Sequence, residues 1–220
     1  MKLVVFDMDG TLIDTQGLIA EQMGVAFTSL GLPAPTPEQS RRVIGLSLPV
    51  AIGRLAASED GALIERLVES YRTSYRSIVE DVGDREPLFP GTRAMLDRLH
   101  ADDGTLLGIA TGKGLNGVNR ILGNHGLDRH FVTLQTPDHN PSKPHPGMLL
   151  RAMSETGAAP KETIMVGDTT FDIELAKAAG VTAIGVSWGY HDTDELVAAG
   201  ASAIIDHYDE LDETLVRLLS

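Results

Sequence analysis

Two carboxylates two positions apart stand near the start of the chain, in Val4-Val5-Phe6-Asp7-Met8-Asp9-Gly10-Thr11. One of such a pair can attack as a nucleophile while the other moves a proton as general acid and base. The apolar run before them reads as a buried strand, and open α/β sheets bind ligands at the carboxyl ends of their strands. Gly10 allows a sharp turn just beyond the pair. A second set, Asp168 and Asp172, occupies Met165-Val166-Gly167-Asp168-Thr169-Thr170-Phe171-Asp172. Asp168 ends a strand and Asp172 falls where a helix begins, a spacing that stacks the two on one side of the helix. Taken singly, each motif also suits a turn, a helix cap or a dipole-favoured helix start. Together, four converging carboxylates repel, each pair at ~4 Å costing about 4 kcal/mol at an effective dielectric of ~20. Mg²⁺, a hard cation that takes oxygen ligands and keeps several waters, removes that cost. The expected metal set is Asp7, Asp9, Asp168 and Asp172.

Two lysines extend the set. Thr111-Gly112-Lys113 follows an apolar run, offering a hydroxyl, an unobstructed amide and a point charge near a helix start, which are features of phosphate binding. Lys143 ends the loop Thr136 to Ser142, and Pro144 suits a helix start that aims Lys143 back at the sheet edge. A lone lysine is usually solvated, so the argument rests on the joint pattern: every candidate follows a predicted strand or opens a predicted helix.

The elements that hold these residues are legible as short apolar runs: Leu3 to Phe6, Leu106 to Ala110, Phe131 to Leu134, Thr163 to Val166, Ala183 to Val186 and Ala203 to Ile205. Runs without alternation suit strands covered on both faces, and helical periods between them predict βαβ units. The fold class is therefore α/β, a doubly wound, Rossmann-like parallel sheet. Residues 15–87 break the rhythm. Ile19, Met23, Ala26 and Leu30 mark one helix face ending at Gly31; Thr36 and Pro37 read as an N-cap and first helical residue; Leu63 to Ile78 predict a long helix. This predicts a helical insertion at 15–87 in a core of 1–14 and 88–220, with hinges at Asp14-Thr15 and Gly83 to Gly91.

The chain has 220 residues, 31 acidic against 18 basic, a net charge of −13 and no cysteine. That balance opposes broad nucleic-acid binding and anchoring on anionic lipid. Disulfides and thiolate metal sites are excluded. The first acid follows only four apolar residues, short of a signal peptide, and no run approaches the ~20 residues of a membrane span. A soluble, cytoplasmic monomer or small homo-oligomer is expected. An acidic surface should nevertheless repel an anionic ligand.

With these motifs in family order, the chain resembles a haloacid-dehalogenase-superfamily hydrolase with a helical cap inserted after the first motif, within it the phosphoglycolate phosphatase-like group. Phe89-Pro90-Gly91 and Trp188-Gly189-Tyr190 resemble that group as well. The resemblance implies a phosphatase in which Asp7 attacks phosphorus to form an aspartyl-phosphate. Asp9 protonates the leaving alcohol and then deprotonates water. It implies Mg²⁺ on the Asp7 carboxylate, the Asp9 main-chain carbonyl and Asp168, with Asp172 acting directly, through water, or by orienting Lys143. Thr111, the Gly112 amide and Lys143 hold the phosphoryl oxygens, the Met8 amide adds to the cradle, and Lys113 helps to neutralise the site if it points inward. The implied partner is a small phosphorylated metabolite.

Dehalogenase members lack the second aspartate, so Asp9 disfavours carbon–halogen chemistry. The β-phosphoglucomutase-like group shares fold, cap and metal, but usually has Val where this chain has Thr11, His at Ile19 and Arg at Leu48. Receiver-type phospho-accepting modules also combine acids, Thr and Lys, but are shorter and lack a helical insert. Arg41 and Arg42, before Val43-Ile44-Gly45, are the cap residues expected to meet substrate, Arg42 above all, since a guanidinium can clamp a second anion.

Overall fold

The structure, a computed structural model, describes residues 1–81 and 86–219. The chain enters as strand β1 (Lys2–Phe6), then runs through four helices, α1 (Gln16–Ser29), α2 (Pro37–Arg41), α3 (Leu48–Ala56) and α4 (Gly61–Asp81). It returns through α5 (Thr92–His100), β2 (Thr105–Ala110), α6 (Leu115–Asn124), β3 (Thr133–Gln135) and α7 (Gly147–Thr156). The last third is β4 (Thr163–Gly167), α8 (Thr170–Ala179), β5 (Thr182–Val186), α9 (Thr193–Ala199), β6 (Ala203–Ile205) and α10 (Leu211–Leu218).

All six strands pair in parallel in the order β3-β2-β1-β4-β5-β6. From β1 the chain builds the sheet first to one side and later to the other, so β1 and β4 flank the switch point, where such sheets bind ligands. Side chains alternate along β1: Val4 and Phe6 enter one apolar cluster with Met95, Ile109 and Val166, while Leu3 and Val5 enter another with Met148, Met165 and Ile173. Both faces are covered, which is why the strands read as unbroken apolar runs.

The helical segment α1 to α4 has its own apolar cluster, with Ile19, Met23, Phe27, Ile52 and Leu67 at its heart and Phe171 and Tyr190 joining from the sheet side. Thr36 caps α2 in a full capping box with Gln39, and Pro37 takes the first helical position. Two boundaries shift: β3 begins at Thr133 rather than Phe131, and α7 opens at Gly147 rather than Pro144, because Ser142 to His145 form a turn first. Gly83, in the second expected hinge, lies outside the described residues. No described helix is long and apolar enough to cross a membrane.

Candidate active site

Phe6 sits opposite Val166 in the sheet, so Asp7 and Asp168 leave neighbouring strand ends together. Asp7, Asp168 and Asp172 are all fully buried, and each offers a carboxylate oxygen within 4.8 Å of the others. Lys143 drives its ammonium into this group, 3.0 Å from Asp7 Oδ2 and 2.5 Å from Asp172 Oδ1.

Each acid is held by donors from elements distant in sequence. Asp168 Oδ1 accepts from the Thr11 hydroxyl at 2.9 Å, and its Oδ2 accepts from the Tyr190 amide at 2.9 Å. Gly10 has φ +87°, and a Cβ there would lie 2.1 Å from Asp168 Oδ2, so only glycine permits this approach. Asp172 is the third residue of α8 and closes a capping box with Thr169, whose amide and hydroxyl donate to Oδ2 at 3.0 and 2.8 Å. The two acids thus meet around the N-terminus of α8 rather than stacked along it. Both oxygens of Asp172 are engaged by donors, Oδ1 by Lys143 and Oδ2 by Thr169.

Four expected placements are corrected. The Asp9 carboxylate does not join the acidic group: Thr15 Oγ1 donates to its Oδ1 at 2.6 Å, and Lys113 Nζ lies 3.1 Å from the same oxygen. Lys113 therefore points inward, onto Asp9. The Met8 amide is already used, donating to Asp7 Oδ1 at 2.7 Å. Arg42 is bound bidentately by Glu195 at 2.6 Å for each bond and turns away from the site, because the start of α9 presents a carboxylate opposite α2. Thr111 is buried just past the end of β2, and Gly112 serves a purpose beyond a free amide: a Cβ there would stand 2.3 Å from the Leu46 carbonyl oxygen.

Burial dominates the electrostatics. It pushes the Asp7 carboxyl up to about 7, with Asp172 and Asp9 adding to the rise and Lys143 opposing it. Burial, then Asp172 and Asp7, push Asp168 well above the carboxylate range. Burial works against the charge of Lys143, but Asp172 and Asp7 outweigh it and hold its pKa above the ordinary value. Burial likewise opposes the Lys113 charge, and Asp9 reverses the balance.

Above the acids lies a cleft of about 750 Å³ between the helical segment and the sheet edge. Asp9, Gly112, Lys113 and Arg120 line one side; Ile19, Leu48, Tyr71, Arg72, Tyr75 and Arg76 line the other. The residues that spacing alone overlooked are Thr11, Thr15 and Tyr190, which position the acids, and Arg72, Tyr75 and Arg76. Thr11 lay inside the first motif; the α4 residues carried no local signal beyond helix period.

Residues 4–186 match the haloacid dehalogenase-like hydrolases. Among similar proteins, one named Probable phosphatase IndB from Dickeya dadantii is 39% identical, the match covering 95% of this chain and 91% of that protein. A phosphoglycolate phosphatase from Vibrio parahaemolyticus is 32% identical over 98% of this chain and 96% of its own length. The crystal structure of a hydrolase from Pseudomonas syringae superposes with a TM-score of 0.87 at 25% identity, covering 100% of each chain. The chain belongs to the haloacid dehalogenase-like hydrolase family.

Proposed function

We propose that the chain is a Mg²⁺-dependent phosphatase that releases inorganic phosphate from a small, phosphoglycolate-like phosphomonoester in the cytoplasm, through a phosphoryl group carried on Asp7. The observation that carries this reading is Lys143, buried and charged between Asp7 and Asp172 at the carboxyl end of the sheet, a cation in place to meet an anionic group beside the nucleophile. A family match and phosphatase relatives along almost the whole chain support it.

The residues present fit a divalent cation. Asp7, Asp168 and Asp172 are buried with a carboxylate oxygen of each within 4.8 Å of the others, Lys143 is the one cation against Asp7 Oδ2 among the described residues, and every candidate ligand is a hard oxygen. Asp7 and Asp168 would hold the ion with the Asp9 main-chain carbonyl. Bound there, Mg²⁺ neutralises the acids and withdraws charge from the phosphoryl oxygens. The chain's own groups supply the rest. Asp7 attacks phosphorus, Asp9 gives a proton to the departing alcohol and takes one back from water, and Lys143, Thr111 and the Gly112 amide hold the transferring group.

Residues 15–87 act as a cap over the core of 1–14 and 88–220 in this reading. Asp7 is fully buried, so an ester reaches it only after the cap lifts, which releases Arg42 from Glu195 and the Ser47 amide from Ser142 Oγ. The test is phosphate release from a panel of small phosphomonoesters with Mg²⁺. The wild type is expected to turn over at least one, and Asp7→Asn none. Isomerised sugar phosphate without free phosphate would favour a mutase, a long-lived phosphorylated Asp7 without turnover a signalling module, and unchanged activity in Asp7→Asn would overturn the mechanism.

A further inference from the structure

Lys113 stands apart from the lysine at the acidic group. Its Nζ lies 3.1 Å from Asp9 Oδ1, with the two side chains only 12% and 9% exposed, so bulk water scarcely screens the pair. The Thr15 hydroxyl donates to that same oxygen at 2.6 Å. Two donors thus converge on Oδ1, and an ammonium has protons to give but no lone pair to receive one. Oδ1 is therefore taken up by donors, and Oδ2 is the Asp9 oxygen left open for exchange with a substrate.

The lysine is itself held from the other side of the cleft. Its Nζ lies 5.2 Å from the ring centroid of Tyr75 on α4, a cation–π distance. The Tyr75 hydroxyl donates to Glu86 Oε1 at 2.6 Å, and Arg120 of α6 grips both oxygens of Glu86. The ring is moored to the same helix α6 that Lys113 precedes, so it cannot slide off the ammonium without breaking that tie.

We infer that Lys113 is the positioning residue of the proton-transfer group Asp9, kept on Oδ1 by the Tyr75 ring so that Oδ2 alone faces the leaving oxygen. The inference rests on the phosphatase reading above. As the Asp7 oxygen bonds to phosphorus and the ester P–O bond breaks, the Oδ2 proton moves to the departing alkoxide, giving the alcohol. Asp9 is left as a carboxylate with the Lys113 charge already beside it. In the second half a water oxygen bonds to phosphorus, its proton returns to Oδ2, and Asp7 is released as a carboxylate with inorganic phosphate.

The experiment compares kcat/KM for an alkyl phosphate, whose alkoxide needs a proton to leave, with that for p-nitrophenyl phosphate, whose phenolate does not. Both values cover steps through departure of the leaving group. Lys113→Met is expected to lower the alkyl value about 10-fold or more and the aryl value less than about threefold, since general acid catalysis supplies ~10²-fold and upward. Tyr75→Leu shifts the ratio of the two in the same direction, Tyr75→Phe, which keeps the ring but loses its tie to Glu86, shifts it by less than Tyr75→Leu, and Lys113→Arg recovers part of the alkyl activity. Tyr75→Leu, which leaves Lys113 in place, carries the test if Lys113→Met does not fold. Equal losses on both esters, or a raised KM with weakened inhibition by inorganic phosphate, would overturn the inference by making Lys113 a phosphate ligand. A wild type that hydrolyses neither ester would overturn the phosphatase reading, and this inference with it.

Discussion

Asp7 is asked to be both buried and charged. The unfolded chain releases its proton near pH 3.8, whereas the folded, metal-free chain keeps it until about pH 7, mainly because burial penalises the anion. Between those values the native state binds more protons than the unfolded state, so this group's stabilising contribution is complete at low pH and is lost as pH rises through about 7. Asp168 acts in the same direction. With a chelator present, the denaturation midpoint of the wild type should fall relative to that of Asp7→Asn between about pH 4 and pH 7, and Mg²⁺ should restore it at neutral pH. A difference that stays flat with pH, measured by denaturant titration, would contradict this account. The residue types at Asp7, Asp9, Asp168 and Lys143 were readable from motif spacing. Their partners were not: Asp9 meets Lys113 across a fold of the chain that local pattern does not encode, and the meeting of Asp172 with Lys143 came only from the family resemblance, as one of three alternatives.

At the scale of elements, the six strands were visible because a strand covered on both faces has nowhere to put a polar side chain. Helix α3 was not anticipated, since Pro49 and Gly53 interrupt the helical pattern of Leu48–Ala56. The same scale explains Arg42. Helix α2 delivers it to the first turn of α9, where Glu195 is drawn down to a pKa of about 2 by the guanidinium's hydrogen bonds. The pair bridges α2 and α9 while both side chains remain partly exposed, at 43% and 35%, so its worth is at most about 1 kcal/mol. Arg42→Ala and Glu195→Ala should therefore each shift stability by less than about 1 kcal/mol, and the double variant by no more than either alone. Thermal unfolding of the three variants checks this; additive losses would mean that each side chain works through another partner.

For the whole molecule, a net charge of −13 stands against a ligand that is itself an anion. The conflict dissolves locally. The cleft wall carries Arg72, Arg76, Lys113 and Arg120. Lys113 is committed to Asp9 and Arg120 to Glu86. Arg72 and Arg76, one turn apart on α4, face the cleft without an ion pair among the described residues. If the proposed ester carries a second anionic group, these two are the unpaired cations on the cleft wall that would meet it, the task sequence reasoning gave to Arg42. Replacing both by Gln should raise KM for phosphoglycolate by about 10-fold, the worth of one charge-assisted hydrogen bond, and KM for an aryl phosphate by less than about twofold. Steady-state kinetics on the two esters decides it, and equal changes would remove the arginines from substrate choice.

The one tryptophan in the chain has its own consequence. Trp188 donates its indole N–H to the Thr11 carbonyl at 3.1 Å, stacks edge-on against Tyr208 with ring centroids 4.7 Å apart, and thus props the residue whose hydroxyl holds Asp168. The molecule therefore carries a single indole, tied through Thr11 to its acidic group. Its emission reads the state of that group with no second indole to confuse the signal.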